Sequence, residues 1–243
     1  MELSREQREA VKRLRDQVRR TRFGVVLGVI KQPHWLALTY GSSDKAAHRY
    51  MQYYARHLGH LRFSRNIVLE IGVGGVDFEK PAPGGSLRIW RDYLVRSQIA
   101  GIDLHHKDVD MGHRVHFYQA DQSSSDELQR VIDAFGVPNI VIDDGSHLGD
   151  HQIASFRTLF PLMPPGSIYV IEDLSTSYYP EYSGGIPAPE SSGVGLLRHM
   201  IDSVQARDPY FDLRPELGVP PAADFGGVGS MHVYPGIVFI EKA

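Results

Sequence analysis

Asn66-Ile67-Val68-Leu69-Glu70-Ile71-Gly72-Val73-Gly74-Gly75 is an apolar run of strand length that passes straight into a glycine turn. From this point the chain alternates between short apolar runs and longer amphipathic ones. Strands are expected at 67–71, 99–104, 115–119, 139–142 and 167–171, with helices at 85–94, 125–135 and 150–162 between them. Short apolar strands separated by helices imply an α/β fold, in which a parallel sheet is covered on both faces. The last stretch, 231–242, carries Pro235-Gly236 between two apolar runs and reads as an antiparallel hairpin closing the sheet edge. Residues 174–195 are rich in Ser, Tyr, Gly and Pro, which reads as a long loop beside the strand ends, placed to act as a lid. Ligands of such sheets bind beyond the carboxyl ends of the strands, so the polar residues there are the site candidates.

Composition narrows the class. The 243 residues carry 26 Lys and Arg against 29 Asp and Glu, and a net charge of −3 does not suggest a nucleic-acid binder. With no cysteine, disulfides, thiolate metal sites and thiol nucleophiles are excluded. The longest clean apolar run, 23–30, is far short of the roughly 20 residues of a membrane span. A cytoplasmic protein without membrane or nucleic-acid partners is the expectation. Residues 1–22 hold eight basic and four acidic side chains, with Leu3, Val11, Leu14 and Val18 at helical spacing. Segment 1–65 therefore reads as a helical region packing on the core or on a partner subunit, which suggests a homo-oligomer, and 66–243 as the ligand-binding domain.

The strand ends carry the chemistry. A dinucleotide fingerprint wants G-x-G-x-x-G, and Asp77 stands where its third glycine belongs, which disfavours a nicotinamide cofactor. An acidic residue, Glu70, leading into Gly72 and Gly74 is instead the pattern of S-adenosylmethionine (SAM) methyltransferases. Asp103, ending the second strand, suits the two ribose hydroxyls, because an ionised carboxylate only accepts hydrogen bonds. Asp121 and Gln122 end the third strand, either beside an adenine or, for Asp121, at the start of the next helix. The fourth strand ends in Asp143-Asp144-Gly145-Ser146-His147 and the fifth in Glu172-Asp173. Four carboxylates at adjacent strand tips need a positive partner, and no Lys or Arg lies between 131 and 156. An oxygen-only donor set fits a hard cation, Mg²⁺ first and Mn²⁺ or Ca²⁺ next. His147 is placed to serve as a general base, and His151 as a structural hydrogen-bonding residue.

Taken together, LEIGVGG, IDDGSH and YVIEDLSTSY, with the lead-in YGSSDK…HRY at 40–50 and GGSLRIWRDY at 84–93, resemble the metal-dependent SAM O-methyltransferases that modify antibiotic sugars, typified by the mycinamicin and tetracenomycin rhamnose enzymes. The resemblance covers roughly 38–180. It implies a Rossmann-like class I methyltransferase domain with a mostly parallel seven-stranded sheet, an antiparallel C-terminal hairpin and a small glycosylated acceptor. It also implies Asp144, Glu172 and Asp173 as metal ligands, His147 as the base, Asp143 at the methionine end of SAM, and Ser86, Asp103, Asp121 and Gln122 as further cofactor contacts. One departure is size: the mycinamicin enzyme carries a large additional N-terminal domain, so its acceptor pocket and oligomer geometry are not carried over. Competing readings are a catechol-type methyltransferase, a cephalosporin-hydroxylase-like relative and a non-catalytic nucleotide-binding domain.

Overall fold

The computed structural model describes residues 33, 36, 37, 45, 47–74, 84–107, 111–205 and 227–243. The expected helix within 1–22 lies outside these residues. In chain order the elements are α1 (Met51–Leu58), β1 (Ile67–Ile71), α2 (Gly85–Tyr93), β2 (Gln98–Asp103), β3 (Val115–Gln119), α3 (Ser125–Phe135), β4 (Ile140–Asp143), α4 (Gly149–Leu159), β5 (Ile168–Ile171), α5 (Gly193–Gln205), β6 (Val228–Tyr234) and β7 (Ile237–Lys242).

The seven strands form one sheet in the order β3-β2-β1-β4-β5-β7-β6. The first five are parallel to their neighbours, while β7 runs antiparallel to both β5 and β6. Side chains alternate across the sheet with period two, as pleating dictates. Leu69, Ile71, Ala100, Ile102, Val141, Tyr169 and Val238 face one way, onto Leu128 of α3, Phe156 of α4 and Leu196 of α5. Val68, Ile99, Ile140, Ile142, Val170 and Phe239 face the other way, onto Met51 and Tyr54 of α1 and Leu87 and Trp90 of α2. Each such buried aliphatic side chain contributes about 1.5–3 kcal/mol relative to exposure, and both faces are needed to cover strands that carry no polar side.

The boundaries differ from expectation in small, explicable ways. Asp143 is the last residue of β4 rather than the first beyond it, because β4 pairs with β1 and β5 through that position. Helix α4 gives way at Phe160 to a 3₁₀ turn containing Pro161, whose missing N–H ends the α-helical ladder. The 174–195 region is not one open loop. It folds as 3₁₀ turns at Leu174–Tyr178 and Pro180–Tyr182, and α5 begins at Gly193 inside its expected span. Within segment 1–65, Leu36, Ala37, Tyr50, Met51, Tyr54 and Leu58 share a core with the sheet.

Candidate active site

The strand order reverses between β1 and β4, the switch point at which α/β sheets open a crevice. A cleft of about 390 Å³ lies there, above the tips of β1, β2, β3 and β4. Its floor depends on Gly72, which has φ +87° and donates its N–H to the Ile102 carbonyl at 2.8 Å. A Cβ at Gly72 would lie 2.1 Å from the backbone oxygen of Asp144, so only glycine lets the β1 and β4 loops approach this closely. Gly74, Ser86, Asp103, Asp121 and Gln122 also line the cleft, as do Asp144 and His147.

Several of these side chains are already held by the protein. Asp103 accepts from the N–H groups of Val73 (3.2 Å) and His105 (3.0 Å), which fixes its carboxylate at the end of β2. Asp121 accepts from the Ser123 N–H and hydroxyl at 2.8 and 2.7 Å, and these bonds lower its pKa. The cap of α3 is Ser124 rather than Asp121. Gln122 ties two loops together: its amide donates to Asp143 at 3.1 Å, and its oxygen accepts from the Ser146 N–H at 2.8 Å. Ser146 also bonds the His151 ring at 3.0 Å, the structural role expected of His151.

Two expected cofactor contacts stand elsewhere. Asp143 does not reach the cleft: it is fully buried, and its carboxylate is taken by Ser155 (2.6 Å), Gln122 and Tyr169. Burial raises its pKa against the lowering effect of the Ser155 and Gln122 bonds. The reason is pleating, since Asp143 continues β4 and points into the α4 side of the sheet. Glu70 is likewise fully buried beneath the cleft, accepting from the Ser86 hydroxyl at 2.8 Å.

The cation that the acidic tips require is present in the chain itself. Lys45, fully buried, sets its Nζ 2.6 Å from Glu172, 2.5 Å from Asp144 and 3.4 Å from Glu70. Burial would lower the pKa of its ammonium, but Asp144, Glu172 and Glu70 together hold it well above the ordinary lysine value. Glu172 also accepts a short hydrogen bond from Tyr54, and burial, then Asp144, pushes its own pKa up. Glu172 is thus turned inward onto Lys45 and Tyr54, while Asp144 and Asp173 remain partly exposed. Donor atoms of Asp144, His147 and Asp173 lie within 4.8 Å of one another, and His147 Nε2 is 3.6 Å from Asp173. Tyr50 donates to Asp173 at 2.7 Å.

Asp144 and His147 come together without the helical turn that their spacing suggested, because α4 starts only at Gly149. His147 instead takes a left-handed backbone, φ +59°, and Asp173 does the same at φ +53°. Non-glycine residues in that region cost free energy and cluster at functional sites. Sequence reasoning missed Lys45, Tyr50 and Tyr54. The i, i+4 spacing of the tyrosines does place both hydroxyls on one face of α1, but nothing local pairs Lys45 with acids about a hundred residues away.

No protein-family model matches the chain. Sheet order, glycine cleft and hairpin define a Rossmann-like class I methyltransferase fold, and solved methyltransferases share it. A methyltransferase of the mycinamycin biosynthetic pathway, in complex with Mg, SAH and mycinamycin VI, matches 88% of this chain and 55% of its own at 34% identity, with a TM-score of 0.75. A second crystal form of that enzyme, with Mg and SAH, matches with a TM-score of 0.77. In sequence the chain is 39% identical over 207 residues to the 8-demethyl-8-α-L-rhamnosyl tetracenomycin-C 2′-O-methyltransferase of Streptomyces olivaceus, covering 85% of this chain and 53% of that protein. It is 39% identical over 198 residues to the mycinamicin VI 2″-O-methyltransferase of Micromonospora griseorubida, covering 80% of this chain and 48% of that one. The chain is therefore a homologue of antibiotic-pathway sugar O-methyltransferases, and it spans about half the length of the curated relatives it matches.

Proposed function

We propose that the chain is a Mg²⁺-dependent O-methyltransferase that moves the methyl group of SAM to a hydroxyl on a deoxysugar of a glycosylated secondary metabolite. The observation that carries this reading is that one cleft runs from the Gly72–Gly74 turn to Asp144 and His147, whose donor atoms lie within 4.8 Å of that of Asp173. The donor set fits the ion: the partly exposed Asp144 and Asp173 bring carboxylate oxygens within 4.8 Å of one another and of a His147 ring nitrogen, and oxygen donors favour a hard cation. Asp144 and Asp173 would hold Mg²⁺ directly, with Glu172 behind them anchored on Lys45. Bound Mg²⁺ supplies Lewis acidity toward the acceptor hydroxyl, and the cofactor's sulfonium supplies the methyl group.

The chain's own residues do the rest. Asp103 accepts from the ribose hydroxyls, and the Gly72–Gly74 backbone lies against the methionine half. His147, whose Nε2 faces Asp173 at 3.6 Å, would take the hydroxyl proton through its other ring nitrogen as the methyl group passes from sulfur to the acceptor oxygen. Tyr182, whose ring meets His147 edge-on at 6.2 Å, and the surrounding 174–195 segment exclude water and face the acceptor. In this reading the protein works in the cytoplasm, as a homo-oligomer, without nucleic acid or membrane. Among the described residues no helix is long and apolar enough to cross a membrane.

The test is calorimetric titration of SAM, with NAD as control, into metal-stripped protein and again with Mg²⁺. SAM binding, and a Mg²⁺ site lost in Asp144→Ala while SAM affinity stays within a few-fold, supports the reading. Failure of SAM to bind in either state removes it. Rhamnosides set against catechols then distinguish a sugar acceptor from an aromatic one.

A further inference from the structure

A second set of ligand-type side chains gathers on the outer edge of the sheet. His57 comes from the last turn of α1, His232 from the edge strand β6 and Glu241 from its partner β7. One donor atom of each lies within 4.8 Å of the others. Both rings converge on one carboxylate oxygen: Glu241 Oε1 is 3.5 Å from His232 Nε2 and 3.9 Å from His57 Nδ1. Ligand atoms around a tetrahedral ion with bonds of about 2.0–2.2 Å sit about 3.3–3.6 Å apart, so small side-chain rotations close the cage.

The surroundings are those of an oriented ligand set. The Tyr234 hydroxyl holds His57 Nε2 at 3.0 Å, which leaves Nδ1 as the nitrogen turned toward Glu241, and Phe239 stacks on the ring at 4.3 Å. Ser230 donates to the other Glu241 oxygen at 3.0 Å. Such outer hydrogen bonds fix ring orientation at metal centres. Arg56 donates to the Tyr234 hydroxyl at 3.3 Å.

We propose that His57, His232 and Glu241 form a divalent transition-metal site, Zn²⁺ foremost, that staples the end of α1 to the β6–β7 hairpin. Two imidazoles and one carboxylate suit a borderline ion, unlike the oxygen-rich cluster in the cleft. Helix α1 also brings Tyr54 onto Glu172, so the staple fixes one end of the helix whose other face braces the cleft. The inference does not depend on the methyltransferase reading.

The experiment uses the full untagged chain, stripped with chelator and titrated with Co²⁺ alone. The expected result is a strong visible absorption of tetrahedral cobalt saturating at one equivalent and displaced by Zn²⁺. His232→Ala and the isosteric Glu241→Gln should each weaken it at least tenfold while far-ultraviolet circular dichroism stays native. Asp173→Asn, in the cleft, should leave it unchanged. Zn²⁺ should raise the thermal midpoint of the parent but not of His232→Ala. The proposal is overturned if no such absorption appears, if His232→Ala and Glu241→Gln both retain it, or if Asp173→Asn alone removes it.

Discussion

Lys45 compensates three carboxylates at once, and its removal has a defined cost. Lys45→Met leaves Glu172 and Glu70 fully buried without their ammonium, and breaking a buried pair from one side costs about 3–5 kcal/mol. Urea unfolding should show a midpoint lowered accordingly; an unchanged midpoint would mean that the acids are neutralised by protonation in the parent as well. The charge pattern of the sequence correctly demanded a cation at these strand tips. It favoured a metal because no Lys or Arg lies between 131 and 156, whereas Lys45 stands 99 and 127 residues before Asp144 and Glu172. Asp143, which the resemblance places at the methionine end of SAM, is turned inward by pleating to Ser155 and Tyr169.

At the level of elements, the β1 turn separates two glycines that look equivalent in sequence. Gly74 has φ +68° with nothing within 4 Å of a Cβ, so Gly74→Ala costs only the left-handed backbone, about 1–2 kcal/mol. Gly72→Ala adds a collision with the Asp144 carbonyl, which is backbone and cannot swing aside. The expected outcome is a larger fall in the urea midpoint for Gly72→Ala than for Gly74→Ala. The contact between α1 and the hairpin gives a pH signature in chelator-treated protein. Because the folded pKa of His57 lies below the ordinary 6.5, the unfolded chain binds more protons in that interval. Stability is therefore full above about pH 6.5 and declines as the pH falls toward the folded value. Denaturant midpoints measured from pH 7.5 to 5.5 should fall, and His57→Gln should flatten the slope. Strands and the hairpin were legible within a residue or a few, since apolar runs bounded by turns admit few registers. Helix α5 was not, because the Ser-, Gly- and Pro-rich stretch before it masked where helical periodicity resumes.

For the molecule as a whole, the segment before residue 66 is part of the core. Tyr54, Met51 and Leu58 are buried in one core with Phe239, Val170 and Trp90, so a chain beginning at residue 66 would expose the part of that sheet face that α1 covers. Such a truncation should bind hydrophobic dye, lack near-ultraviolet dichroism and unfold without a cooperative transition, in contrast to the full chain. The sequence left open whether segment 1–65 packs on the core or on a partner subunit, because the 51–58 helix is short and its apolar face has no partner nearby in sequence.

The position of Lys45 also bears on how the chain reaches its native state. Its contacts to Asp144 and Glu172 span 99 and 127 residues, and links this distant in sequence form late because long loops must close first. Strands β4 and β5 therefore come together with like charges at their tips, and the repulsion is relieved only when the N-terminal segment docks. Added salt, which screens that repulsion, should speed refolding of this protein more than it changes the rate at which the finished structure comes apart.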